Sequence, residues 1–212
     1  MLGNKGFDLW AKGYDESVGI SDDDGTYPFA GYKDVVNTIY NEIMAQKPCV
    51  VLDVGIGTGT LAHKLYQAGN KIVGVDFSSK MLDVAREKMP TAELISHNFA
   101  NGYPSELAGR KFDFIVMTYS VHHLNYDQKM QLFGEFKNVL NKNGAVIIGD
   151  VAFESRTDHD NCAKECGDEW DDDEFYLVMS ELAHGLTNLG YEHSYSQVSH
   201  CAGILTLRNK AV

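Results

Sequence analysis

The chain has 212 residues, 44% of them hydrophobic and 23% charged, the balance of a folded soluble protein and short enough for a single core. Eighteen Lys and Arg against thirty Asp and Glu leave a formal net charge of −12; a field of that sign repels phosphate backbones and anionic lipid, which argues against nucleic acid or a membrane as partner. No run approaches the ~18 consecutive apolar residues of a membrane helix, and the N-terminus lacks the apolar centre of a signal peptide, so a cytoplasmic protein is expected.

The first 48 residues are rich in aromatic and turn-forming residues, with one helix expected from Tyr32 to Gln46. From Cys49 onward, near-continuous apolar runs alternate with helix-like segments. The runs are 49–55, 71–76, 92–96, 112–118 and 145–151, and they read as strands covered on both faces. Between them, 60–68 is a helix closed by Gly69, and 79–89 is a helix opened by Ser78 and stopped before Pro90. A third runs from Asp127 to Leu140 and ends near Gly144. This alternation predicts a doubly wound, mostly parallel α/β sheet with right-handed crossovers.

Beyond it the rhythm breaks. Residues 154–173 read as a polar, acidic linker. Phe175, Val178, Met179, Leu182, Leu186 and Leu189 then fall at helical spacing up to Gly190. Two strands, 191–199 and 203–208, follow too closely for a crossover helix, so an antiparallel hairpin is expected at the sheet's end. Cys49, Cys162, Cys166 and Cys201 are too few and too scattered for a disulfide scaffold and read as free thiols.

The segment Val51-Leu-Asp-Val-Gly-Ile-Gly-Thr-Gly-Thr60 carries the chemistry. A buried strand runs into Gly55, Gly57 and Gly59 and straight into a helix, where glycines permit tight dihedrals and close approach of a ligand to the backbone. The pattern is acid-x-G-x-G-x-G from Asp53. Thr60 stands where a dinucleotide fingerprint has its third Gly or Ala, and the lysine of a nucleotide P-loop is missing. The next strand ends in Asp76, whose carboxylate can accept both hydroxyls of a ribose. Two acids around a glycine loop suit a cationic ligand better than a polyphosphate.

With these residues in view, the chain resembles the class I S-adenosylmethionine-dependent methyltransferases. LDVGIGTG resembles their first motif and VGVDFS the acidic second-strand motif. SHNFA is similar to the adenine-contacting segment, FDFIVMTYSVHHL to the fourth-strand motif and NGAVIIGD to the fifth. The N-terminal WAKGYDESV resembles the lid of small bacterial methyltransferases that begin W-A-x-x-Y-D. The resemblance implies a Rossmann-like sheet of seven strands in one methyltransferase domain spanning 1–212: lid and helix at 1–47, cofactor core at 48–152, and a terminal helix with antiparallel strands at 153–212.

It also implies roles. Gly55, Gly57, Thr58 and Gly59 would approach the methionine part and ribose of S-adenosylmethionine, and Asp53 would face its amino group. Asp76 would hold the ribose hydroxyls with Phe77 against the adenine. Asn98 would stand where the family usually has Asp, accepting through its carbonyl oxygen, and Phe99 would offer its backbone N–H. Tyr119 and Tyr14 would line the donor pocket, with Tyr14 in a water-excluding lid alongside Trp10, Tyr27, Phe29 and Tyr32. The expected reaction is methyl transfer to a small-molecule acceptor. Its alternatives are a nicotinamide-dependent oxidoreductase on a similar sheet and a non-catalytic S-adenosylmethionine binder.

Plainer readings stand beside these. The glycine loop could be an ordinary tight turn, Asp76 a helix cap, Asn98 the closure of a turn and Phe77 core packing. His122 and His123 follow the fourth strand, where an imidazole could serve as general base, yet a structural role for the pair leads, and Tyr14 is the other catalytic candidate. The remaining histidines show no metal spacing, and no metal is expected. The acidic clusters Asp22–Asp24 and Asp171–Glu174 read as solvated loops. Oligomeric state is not legible.

Overall fold

The computed structural model describes residues 22–210, so Trp10 and Tyr14, and with them the lid motif, lie outside the described residues. In chain order the elements are α1 (Tyr32–Met44), β1 (Val50–Val54), α2 (Thr60–Gln67), β2 (Lys71–Asp76), α3 (Ser79–Lys88), β3 (Glu93–Ser96), β4 (Phe112–Thr118), α4 (Tyr126–Val139), β5 (Leu140–Phe153), α5 (Arg156–Cys166), β6 (Leu177–Val178), α6 (Met179–Asn188), β7 (Tyr191–Gln197) and β8 (Ala202–Asn209).

The main sheet runs β3-β2-β1-β4-β5-β8-β7. Its first five strands are parallel, and β8 lies antiparallel to both β5 and β7. These are the seven strands expected, terminal hairpin included. An eighth, the two-residue β6, adds in parallel to Ala152 and Phe153 of β5. The order reverses between β1 and β4, and this switch point opens the crevice in which open α/β sheets bind ligands.

Each strand alternates its apolar side chains between two cores. Val51, Phe114, Val116 and Ile147 face α1, α2 and α3, meeting Val35, Ile39, Leu61, Leu65 and Leu82. Leu52, Val54, Ile115, Met117 and Ile148 face the other way, toward Leu132, Phe133 and Phe136 of α4 and Leu182 and Leu186 of α6. Burial on both faces is why these strands read as unbroken apolar runs. Ser78 caps α3 by accepting from Met81 N, and Gly69 and Gly190 take left-handed dihedrals just past α2 and α6, as expected.

Three expectations fail locally. The polar linker at 154–173 contains α5, opened by a capping box between Ser155 and Asp158. Its helix buries only Cys162, so it carries no apolar stripe to announce it. The helix expected from Phe175 starts at Met179, because Leu177 and Val178 are drawn into backbone pairing with β5. The third helix stops at Val139, well before Gly144, and Leu140 opens β5 in extended conformation. Gly144 lies in that strand, where a Cβ would stand 2.6 Å from the Asp113 carbonyl oxygen.

Helix α1 crosses the sheet over Gly149 so closely that a Cβ there would collide with Val35 Cγ1 and stand 2.9 Å from Ile39 Cδ1. Gly149→Ala is therefore expected to destabilise the protein by about 1–3 kcal/mol through overpacking. Urea unfolding should show a lower midpoint at unchanged slope; an unchanged midpoint would mean that α1 yields freely.

Candidate active site

The glycine turn leaves β1 at Val54 and enters α2 at Thr60. Gly55 N and Ile56 N both donate to Val75 O (2.8 and 3.1 Å), and Gly59 N donates to Ile56 O (2.9 Å), so the turn is tied to the end of β2. Gly55, Gly57 and Gly59 have φ of 77°, 55° and 79°, a region that L side chains rarely occupy. At Gly55 a second constraint applies: a Cβ would collide with Ser120 of the β4 end. Ser120 Oγ donates to Val54 O (2.9 Å) and closes the switch point.

Two carboxylates lie under and beside this turn. Asp53, 1% exposed, has its Oδ1 buried with no hydrogen-bond partner among the described residues. Burial, reinforced by the charge of Asp76, pushes its carboxyl up to about 8. Asp76 is also buried. Its Oδ2 accepts from Gly57 N and its Oδ1 from Ser78 N, both at 2.8 Å. Burial raises this carboxyl too, against the opposing pull of those backbone donors. A pair of desolvated acids, one of them unsatisfied, forms a seat for positive charge.

Above them opens a cleft at the ends of β1, β2 and β4. Of the residues singled out from sequence, Gly55, Gly57, Thr58, Asp76, Phe77, Phe99, Tyr119 and His123 line it. Tyr32, Ile56, Leu61 and Met81 also line it. Asp53 lies beneath the turn, while Gly59 serves as N-cap of α2. The exposed Asn98 side chain accepts from Ala100 N at 3.0 Å and closes the short helical turn Phe99–Asn101. Tyr119 has φ of 49°, a strained value for an aromatic residue. Its ring packs against Tyr32 and Phe29 at 5.0 and 5.3 Å, its hydroxyl is buried without a partner among the described residues, and burial raises that phenol. Tyr27 packs elsewhere, stacked on Trp170 at 5.1 Å.

The two histidines differ. His122 Nδ1 meets Asp150 Oδ1 at 2.6 Å. Asp150 is fully buried, and its Oδ2 accepts from the backbone N–H groups of Ser120, Val121 and His122 at 3.1, 3.0 and 3.3 Å. Burial opposes charge on both partners, yet their attraction outweighs it, raising the imidazole and lowering the carboxyl. His123 Nδ1 meets Glu174 Oε2 at 3.0 Å. Glu174 thus leaves the solvated cluster expected for it, while Asp171, Asp172 and Asp173 remain exposed. Neither Asp150 nor Glu174 was singled out from sequence. Both partnerships join residues tens of positions apart, and no local spacing carries that signal.

Comparison with known proteins agrees with the geometry. Residues 51–144 match the family described as "Methyltransferase domain". An uncharacterized methyltransferase of Alkaliphilus oremlandii is 30% identical over 95% of both chains, and one of Anoxybacillus flavithermus is 30% identical over 91% of both. Among solved structures, a complex of DhpI with SAH superposes with a TM-score of 0.69 at 17% identity, covering 99% of this chain and 96% of that one. The magnesium protoporphyrin IX methyltransferase of Synechocystis with bound SAM gives 0.64 at 16%, covering 86% and 81%; both likenesses concern the fold. The chain belongs to the class I S-adenosylmethionine-dependent methyltransferase family. This membership decides for methyl transfer over hydride transfer.

Two stability measurements probe the site without ligand. Asp53, held near 8 when folded and near 3.8 when unfolded, favours the folded state most fully below pH 4 and loses that advantage as pH rises toward 8. Asp53→Asn should therefore gain stability relative to the unaltered protein progressively from pH 4 to 8, by about 1–3 kcal/mol at the top. A constant difference across that range would contradict the burial argument. Gly55→Ala should cost distinctly more than Gly57→Ala, where a Cβ meets nothing within 4 Å and the strain of about 1 kcal/mol is conformational only; equal losses would remove the role given to Ser120.

Proposed function

We propose that this methyltransferase seats S-adenosylmethionine across the ends of β1 and β2 and passes its methyl group to a small-molecule acceptor held in the same cleft beside Tyr32, Tyr119 and His123. The observation that carries the reading is the buried, unsatisfied Asp53 beneath the glycine turn with Asp76 beside it. When bound, the donor supplies a methyl group on a positively charged sulfur, already an activated leaving group.

The residues fit that donor. Asp76 accepts from Gly57 N and Ser78 N, and its carboxylate keeps capacity to accept from the ribose hydroxyls. Gly55, Gly57, Thr58 and Gly59 give the methionine part a bare backbone surface, and Asp53 supplies negative charge below it. Phe77 and Phe99 border the adenine position, with Asn98 shaping the turn that presents the Phe99 backbone. Tyr119 and Tyr32 close the aromatic side of the cleft, which suits a sulfonium. These residues bind, orient and exclude water, and alignment with desolvation is the larger part of the catalytic task.

A small acceptor accords with a net charge of −12, which disfavours nucleic acid. In this reading, residues 1–212 act as one domain in the cytoplasm.

Calorimetry with S-adenosylmethionine and S-adenosylhomocysteine tests it. Both are expected to bind, and Asp76→Ala should weaken them at least tenfold, about 1.4 kcal/mol. Unchanged affinity in that variant would overturn the assignment. Binding without any release of S-adenosylhomocysteine across a broad acceptor panel would favour a sensor over an enzyme.

A further inference from the structure

Among the described residues, one half-buried histidine–carboxylate pair borders the donor cleft and has no part in the donor seat: His123 with Glu174. His123 ends the short helical turn Val121–His123 after β4 and lines the cleft. Its Nδ1 is committed to Glu174 Oε2 at 3.0 Å, and Nε2 is the ring nitrogen that this bond does not use. Glu174 is mostly buried, its side chain 11% exposed. Burial raises its carboxyl, but the hydrogen bond from His123 and the neighbouring imidazoles hold it below the usual glutamate range.

Glu174 is held in place by more than this contact. The next residue, Phe175, donates its N–H to His122 O at 2.8 Å and accepts from Lys129 Nζ at 2.6 Å. Lys129 is itself buried in α4 and also donates to Leu124 O. The segment carrying Glu174 is thereby clamped to the turn carrying His123. On the other side, Asp150 gathers three backbone N–H groups of that turn and the ring of His122, which makes His122 a structural post. The groups facing His123 are Glu174 ahead of β6, His122 beside it, Asp150 from β5 and Asp76 from β2, with Lys129 of α4 behind Glu174.

We propose that His123 is the general base of the transfer and Glu174 its positioning residue, so that the acceptor belongs to the class whose nucleophilic heteroatom arrives bearing a proton: an alcohol, phenol, thiol or ammonium. The proposal rests on the methyltransferase reading above. The acceptor's proton passes to Nε2, for an ammonium before attack so that the lone pair is freed, and the heteroatom lone pair forms the new bond to carbon. The carbon–sulfur pair stays with sulfur, and the imidazolium carries the positive charge that sulfur loses. Glu174 holds the ring in the tautomer with hydrogen on Nδ1 and stabilises that imidazolium.

The same atoms admit a rival. His122, His123 and Glu174 each place one potential ligand atom within 4.8 Å of the others, so a divalent metal that polarises the acceptor is an outcome that the test must separate.

The test has an arm that needs no acceptor. In protein labelled with 15N-histidine and saturated with S-adenosylhomocysteine, His123 is expected as the Nδ1–H tautomer, and Glu174→Gln should abolish the tautomer preference. An Nε2–H tautomer overturns the proposal. In the second arm, phenol, benzylamine and benzyl mercaptan are compared with pyridine and dimethyl sulfide, which carry no proton to remove. Turnover is expected only in the first group, reduced about 10²-fold or more by His123→Gln. In Glu174→Gln kcat should fall while KM changes little, because the ring loses the partner that orients it, whereas a merely structural role would move both.

Comparable turnover of pyridine or dimethyl sulfide overturns the proposal, as does activity that EDTA abolishes and Zn2+ or Mn2+ restores. If no compound in the panel is methylated, the tautomer measurement decides. Failure of S-adenosylhomocysteine to bind the unaltered protein sinks the methyltransferase reading itself and is distinct from every outcome above.

Discussion

The site is organised around negative charge taken out of water. Asp53 and Asp76 stand at the ends of adjacent parallel strands, where the register pairs Asp53 with Gly74 and Asp76 with Ser96. Both are closed off from solvent by the turn that the three glycines make. Burying two like charges so close together is costly unless protons or a cation neutralise them. Asp76 is partly compensated by two backbone donors, whereas Asp53 has an oxygen with no partner among the described residues and holds its proton up to about pH 8. In the resting site that proton neutralises Asp53, and a cationic ligand can take its place. That arrangement suits a sulfonium donor and repels a pyrophosphate.

The sheet makes this possible by reversing its order between β1 and β4. One side of the switch point supplies the glycine turn, and the other supplies Tyr119, Ser120 and the two histidines. Because Gly55 lies against Ser120 without room for a Cβ, the donor side and the opposite wall are mechanically one unit. The β4 turn is in turn fixed by Asp150 from β5. Three consecutive strand ends in space, β1, β4 and β5, thereby define a single rigid cleft, with apolar cores on both faces of the sheet holding them in place.

Much of what is local in the structure was legible in local sequence signals. The strand–glycine–helix segment from Val51 to Thr60, the Ser78 cap and the closely spaced terminal strands were all legible, because each depends on neighbours within a few positions. The pairing of His123 with Glu174 and of His122 with Asp150 was not, since it arises only when the chain returns to the β4 end from 51 and 28 positions away. Helix α5 escaped notice for a different reason. It lies on the surface with little apolar content, and its one clear sign was the Ser155–Asp158 capping box. Asn98 shows how a single residue can serve a turn: its side chain closes the turn that orients Phe99, an arrangement that the plainer reading of that residue anticipated.

The most direct measurement of the central claim is the proton balance of donor binding, obtained by calorimetry of S-adenosylmethionine in buffers of different ionisation enthalpy. At pH 7 the protonated Asp53 should give up its proton when the cation is seated, with release approaching one proton per donor bound, and Asp53→Asn should abolish it. Binding without proton release, or with equal release in that variant, would contradict the account.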